Sequence, residues 1–428
     1  MASRTRIISQ SKALYVAPTG AIPNGGDATS ILEAALSGCM PQQLHRVDSF
    51  SFDIDLAGTR QDVREFGQLA RLGTITMSEL NPTFSLGYYL GNGENEGNLG
   101  FNDLGLDPSS ATSAPRSQFI SGVITEDPAK REKNIFVLTV KEGLDAFENS
   151  VGLTLAAPTG KFTKAQNATH DVVSFGNCVP TSYTVNFNVG EIPRVDIEGD
   201  AQNVQFNTGS SGIYNPSLNN AGGRADTGQY MLGIPSTGNM GILVLRPEDV
   251  TLSFNNNTFS FGGTNRNDMH VQTASIEVPM ARTPIQALGS ARAVAKPLDF
   301  PINVTLSVNA ILKNLSTGSL DMVLTGTAED ESTNATLTVK GDDGLTKHCF
   351  VLQNAVLDSQ NFAMGLDDNE TIDMTFSAQI GGPNTSDQGL FYSGIAGRQP
   401  DVYGYSADAA ANFGSDFTYL KANINKPY

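Results

Sequence analysis

The chain carries two stretches that read as versions of one another. Residues 80–90, LNPTFSLGYYL, return as residues 302–312, INVTLSVNAIL, with Asn, Thr, Ser and the final Leu identical and apolar residues exchanged for apolar ones. About one identity is expected by chance over so short a window. The correspondence runs without a gap back to Gly67 and Gly289. Upstream, residues 50–56 (FSFDIDL) match residues 274–280 (ASIEVPM) in apolar and polar phase. Downstream, residues 177–182 (NCVPTS) are answered by residues 354–359 (NAVLDS), and Val195-Asp-Ile197 by Ile372-Asp-Met374. Three matches in the same order predict a duplicated domain, a pattern that decides the fold before any single element does.

Each copy reads as strands. Phe50, Phe52, Ile54 and Leu56 fall on one face and Ser51, Asp53 and Asp55 on the other, the alternation of a half-buried antiparallel strand. The predicted fold class is mainly β: two tandem β-sandwich or small-barrel domains, each with a short flanking helix, plus extended loops and terminal arms. The expected boundaries are an N-terminal arm over 1–40, a first domain over 41–201, a linker over 202–240, a second domain over 241–380 and a C-terminal extension over 381–428. The arm is broken by Pro18, Gly20 and Pro23, with a capping-box spacing that predicts one short helix from Ser30. Residues 91–130 are rich in Gly, Asn, Ser and Pro and read as a long loop. Residues 67–73 read as a turn or short helix. The tail from 381, with its tyrosines and phenylalanines among Gly and Ala, is assigned to neither copy.

Charge and composition restrict function. A net charge of −17 over 428 residues leaves no clustered Lys and Arg for phosphate binding. Such acidity suits a surface that repels a polyanion, or a soluble protein of no special kind. Cys39, Cys178 and Cys349 are odd in number and far apart, which predicts neither a disulfide framework nor a metal site. No signal-peptide pattern or membrane-length apolar run is present.

The motifs of enzymes are missing or broken. Ala157-Pro-Thr-Gly-Lys161 has the end of a phosphate loop, but Phe162 stands where a magnesium-binding hydroxyl belongs. His45, His170, His270 and His348 are scattered without metal-ligand spacing. The Asp342-Asp343 and 367–370 acidic clusters lack the alternation of a calcium loop. The expectation is a protein with no catalytic, cofactor or metal site and no small-molecule ligand.

Three segments resemble the tail tube (major tail) proteins of tailed bacteriophages. They are residues 50–90 with DVREFGQLAR at 62–71, residues 176–193 with GNCVPTSY and VGEIP, and residues 243–252, LVLRPEDVTL. The resemblance implies a β-sandwich or barrel domain assembled into rings that stack around a channel for DNA. A family ring has six single domains, so a chain with two copies implies three chains per ring. The implied partners are further copies of this chain, a tail terminator, baseplate or tip and sheath proteins, and DNA that passes without specific binding. The implied location is the virion tail, assembled in the host cytoplasm. Other phage tail or baseplate components fit nearly as well. A secreted β-sandwich adhesin or carbohydrate-binding protein fits the Thr and Asn content, but lacks a signal peptide and the Trp used for sugar stacking. Within the tube reading, Asp53, Asp55 and Glu277 are the candidate channel-facing acids. They alternate with apolar residues on the first strand of each copy, and an ordinary solvated strand face explains them equally well.

Overall fold

The computed structural model describes residues 7–19, 41–54, 60–76, 81–91, 93–101, 117–124, 131–141, 170–208, 215–218, 250–254, 269–288, 293–312, 332–340, 346–363, 371–381 and 388–394. In the first half these form β1 (Ile7–Pro18), β2 (Gln42–Leu44), β3 (Val47–Ile54), β4 (Arg60–Val63), β5 (Gly73–Thr76), β6 (Pro82–Tyr89), helix α1 (Glu94–Leu99), β7 (Ser117–Gln118) and helix α2 (Ser121–Ile124). There follow β8 (Lys133–Lys141), β9 (His170–Asn188), β10 (Arg194–Asp200) and β11 (Asn203–Thr208). The second half holds β12 (Val250–Phe254), β13 (Met269–Pro279), β14 (Ile285–Gln286), β15 (Ala293–Ala295), β16 (Ile302–Leu312), β17 (Thr333–Lys340), β18 (Thr346–Ala363), β19 (Thr371–Ile380) and β20 (Gly389–Gly394). The chain is mainly β, and its pairings are antiparallel throughout the main sheet system.

The pairing scheme of the first half is repeated by the second. An inner run β3-β6-β10-β9 recurs as β13-β16-β19-β18, and an outer run β1-β8-β9-β11 recurs as β12-β17-β18-β20. Even the irregularities coincide. Where β9 meets β10 the register slips between Glu198 and Gly199, skipping Thr181; where β18 meets β19 it slips between Leu357 and Ser359, skipping Asp358. The β8–β9 ladder shifts between Lys133 and Ile135, and the β17–β18 ladder between Thr333 and Ala335. A β-bulge re-aims a strand by inserting an unpaired residue, and is a built feature rather than a defect.

These bulges have a purpose. β9 and β18 each serve two sheets, the N-terminal part in the outer run and the C-terminal part in the inner one. The strand turns from one to the other at Asn177 (φ 52°) and Asn354 (φ 55°). Asn is among the few residues other than Gly that accept this left-handed conformation. In each copy the turned amide donates to an asparagine carbonyl in the preceding strand: Asn177 N to Asn134 Oδ1 and Asn354 N to Asn334 Oδ1, both 3.0 Å. Between the inner and outer layers lies one apolar core. Leu14, Val137 and Phe175 from outside meet Leu86, Val185 and Ile197 from inside, with Val304, Leu306, Phe350 and Phe376 continuing the same cluster in the second half.

Four of the expected segments hold strands or helices that the sequence reading did not give them. The arm over 1–40 contains β1, which pairs with both β2 and β8. Its Ala13-Leu-Tyr-Val-Ala17 run is buried on both sides, so it lacks the alternation that marks a half-exposed strand. The loop over 91–130 holds α1, β7 and α2, and contributes Phe101, Phe119, Ile120 and Val123 to the core. These apolar residues are committed to packing, which a low apolar average conceals. The linker over 202–240 begins with β11, and the extension over 381–428 supplies β20; both are outer-run strands. A flanking helix is seen in the first half, but among the described residues the second half has none. The helix expected at Ser30, the phosphate-loop fragment at Lys161 and the acidic clusters at 342–343 and 367–370 lie outside the described residues.

Candidate functional site

The features with a possible function are the inner sheet's ends, its open face and its hairpins. The inner runs of the two halves join through β9 and β13, giving one sheet of eight strands in the order β18-β19-β16-β13-β9-β10-β6-β3. At the join Thr184 faces Glu277, Val185 faces Ile276 and Phe187 faces Ala274. Among the described residues, nothing pairs with the outer edge of β3 or with the outer edge of residues 356–363 in β18. These two edges are the counterparts of the two that meet internally: β3 corresponds to β13, and β18 to β9. Exposure follows from this. Phe52 on β3 is 48% exposed, whereas Ile276, its counterpart on β13, is 3% exposed beneath the neighbouring strand. Unpaired edges are templates for adding strands, and natural proteins rarely leave them long and unguarded.

The inner sheet has one apolar and one polar face. Inward lie Phe84, Leu86, Val195, Ile197, Val304, Leu306, Met374 and Phe376, all buried. The alternate residues form the open face: Thr83 and Ser85, Thr184 and Asn186, Ser275, Thr305 and Ser307, Thr375 and Ser377. Asp53, Asp196, Glu198, Glu277 and Asp373 stand on it too, with Arg194 among them. Arg194 is held by Asp196 at 3.1 Å and Asp48 at 3.4 Å. Asp53 and Glu277, two of the candidate acids, are exposed at equivalent positions of this face. Asp55 lies outside the described residues.

Between the first and second inner strands each half puts out a hairpin, β4–β5 and β14–β15. Both carry exposed large apolar side chains: Val63, Phe66, Leu69, Leu72 and Ile75 on the first, and Ile285, Leu288 and Val294 on the second, with Phe66, Leu69 and Leu288 in full contact with solvent. Phe66 and Leu288 each precede the hairpin glycine, Gly67 or Gly289.

The segment between β6 and β8 holds a buried polar group that the sequence did not single out. Glu96 on α1 is 1% exposed and accepts a 2.9 Å hydrogen bond from Tyr88 Oη. Burial lifts its carboxyl to about pKa 6, with Tyr88 and Tyr183 beside it opposing the rise. The adjacent Asn95 clasps the backbone of His45, accepting from its N–H at 3.0 Å and donating to its carbonyl at 2.8 Å. From the same segment Phe119 reaches the second half. It donates its N–H to the Leu390 carbonyl and packs 5.7 Å from Tyr392 and 4.7 Å from Tyr183. Neither Glu96 nor Asn134 belongs to a motif; only the matched Asn134 and Asn334 could have been found by aligning the two halves strand by strand.

No protein-family model and no curated protein matches the sequence. Among solved structures the chain is similar to a component of the anti-feeding prophage baseplate, with 16% identity over 34% of this chain and 91% of that one, at a TM-score of 0.26. It is also similar to the SPP1 tail tube protein, with 10% identity over 38% of this chain and 87% of that one, at a TM-score of 0.25.

Proposed function

We propose that this chain is a structural subunit of a phage tail tube, in which copies close edge to edge into rings and the rings stack into a conduit for DNA. The observation that carries the reading is the eight-stranded sheet with one seam already made inside the chain and the two halves of a second seam at its ends. A contact between different surfaces of identical subunits propagates from copy to copy and closes into a ring when its rotation permits. With the first and second halves as two repeats, three chains give the six repeats that the tube resemblance calls for.

The dimensions and charge favour a channel. Three such sheets closed into a barrel, at ~4.8 Å per strand, have a bore of roughly 37 Å between backbones, which strand tilt widens further. The polar face then lines the bore, with Asp53, Asp196, Glu198, Glu277 and Asp373 turned toward it. A carboxylate-rich wall gives passing phosphates nothing to bind, so duplex DNA slides rather than sticks. The domain boundaries belong to the same proposal, with β1 and β11 added to the first unit and β20 to the second.

Negative-stain microscopy and native mass spectrometry of the purified chain test this together. Rings or tubes of three chains per layer are the expected result. Monomers at high concentration, or six chains per ring, overturn it.

A further inference from the structure

The seam inside the chain is fastened by an arginine. Arg282, at the base of the β14–β15 hairpin, donates Nε to the Pro180 carbonyl of β9 at 3.1 Å and Nη1 to the Lys296 carbonyl at 2.7 Å. Beside it the Met280 amide donates to the Thr181 carbonyl at 2.8 Å, and Lys296 Nζ lies 3.5 Å from Asp200. Two elements of the second half, β13 and its hairpin, are thereby held against the middle of β9 in the first, where its inner part begins.

The first half has the same arginine, and among the described residues nothing of the kind lies beside it. Arg60 opens β4, and like Arg282 it stands seven residues before its hairpin glycine. The pairings give the same equivalence independently. Arg60 faces Thr76 while Val63 faces Gly73, and Arg282 faces Leu298 while Ile285 faces Ala295, with identical spacing along both arms. Arg60 is exposed, whereas Arg282 is largely buried.

We propose that Arg60 is the fastening residue of the seam between chains, docking on the outer edge of β18 in a second copy as Arg282 docks on β9. The inference rests on the ring reading and adds its register. Carrying the internal seam over, Asp53 faces Asn361 of the second copy, as Glu277 faces Thr184. Phe52 likewise faces Phe362, as Ile276 faces Val185. The counterpart of Pro180 is Leu357, since Pro180 faces Gly199 and Leu357 faces Phe376 at matching bulges. That exchange of side chain leaves the contact intact, because Arg282 binds a backbone carbonyl and every residue has one. Phe52 and Phe362, exposed and half-buried in the single chain, become a cross-strand aromatic pair.

The full-length chain with Asp53→Cys and Asn361→Cys, oxidised under mild conditions, tests the register. Directly opposed residues bring their Cβ atoms within about 5 Å, close enough for a disulfide to form with small adjustment. Covalent dimers and closed trimers on non-reducing gels, absent from either single-cysteine control, are expected. For the arginine, Arg60→Ala should raise the concentration at which rings form roughly tenfold or more, as befits loss of a charged hydrogen bond. Its monomer should melt at the wild-type temperature, while Arg282→Ala lowers the melting temperature of the monomer itself. Rings without the Asp53–Asn361 crosslink overturn the register but leave the tube reading standing. Rings of Arg60→Ala as tight as wild type overturn the role of Arg60. A wild-type chain that makes no rings overturns the tube reading and this inference with it.

Discussion

Asn177 and Asn354 occupy one structural position in two surroundings, and replacing each with alanine separates backbone strain from hydrogen bonding. Both hold positive φ, and alanine in that conformation costs about 1–2 kcal/mol, less whatever asparagine already loses there. At Asn354, whose side chain is exposed, that is the main cost, so about 1 kcal/mol is expected. Asn177 is 7% exposed, and its side chain is embedded in a network. Its Nδ2 donates to Glu132 Oε2 at 2.6 Å and its Oδ1 accepts from the Leu218 amide at 2.8 Å. Alanine leaves a buried carboxylate and a buried N–H without those partners, at about 1–3 kcal/mol each. With about 1 kcal/mol of strain added, the total for Asn177→Ala is about 3–7 kcal/mol. Urea unfolding followed by far-ultraviolet dichroism and by tyrosine emission measures both, since the chain has no tryptophan and Tyr15, Tyr88, Tyr183 and Tyr392 are all buried. Equal losses for the two variants would show that the Glu132 and Leu218 contacts contribute nothing, and the reasoning fails.

Two further outcomes follow from the same geometry. Phe66→Asp combined with Leu69→Asp touches only exposed side chains, so the monomer's melting temperature should hold while stacked tubes give way to single rings in electron micrographs; intact tubes would show that the hairpin tip makes no contact between layers. Glu96 binds its proton more tightly folded than unfolded, so its contribution to stability is full below about pH 4.5 and is lost as pH rises through about 6, by roughly 2 kcal/mol. The stability difference between wild type and Glu96→Gln should therefore shift against wild type between pH 4.5 and 7, and a flat difference would refute it.

The repeat was legible because matched residues in it do matched work. Thr83 and Ser85, like Thr305 and Ser307, are identical because both sit on the polar face, where small hydrogen-bonding side chains suffice. Asn177 and Asn354 are identical because the strand must bend there and few residues accept the angle. The outer strands escaped notice for the opposite reason. β1, β11 and β20 are matched in position but little in residue, since a core accepts many apolar combinations of similar volume. Arg60 and Arg282 stand at one distance from Gly67 and Gly289, but the shift of two residues against the upstream match obscured them, and the hairpin pairing makes their equivalence plain. Glu96 could not have been found at all. A glutamate in a Gly- and Asn-rich segment reads as solvated, and only the tyrosines brought over it by β6 and β9 make it buried.

The two seams of the proposed ring are not equivalent, and the difference lies in the segment between β6 and β8. From the first half it crosses to the second: β7 pairs with β20, and Phe119 enters a cluster with Phe101, Tyr183, Phe350 and Tyr392. Its counterpart in the second half is the segment between β16 and β17, and among the described residues nothing there reaches outward in the same way. The internal seam is therefore held by its strand ladder, its arginine, an aromatic cluster and a covalent connection. Among the described residues, the seam between chains has the proposed ladder with its Phe52–Phe362 pair, and the arginine. Contacts within one chain form at the high effective concentration set by that connection, whereas those between chains depend on collision. A ring built this way breaks at the three seams between chains rather than at all six, and it comes apart into whole two-repeat units. The duplication then does more than reduce the number of parts. It fixes half of the joints during folding and leaves only the other half to be made during assembly.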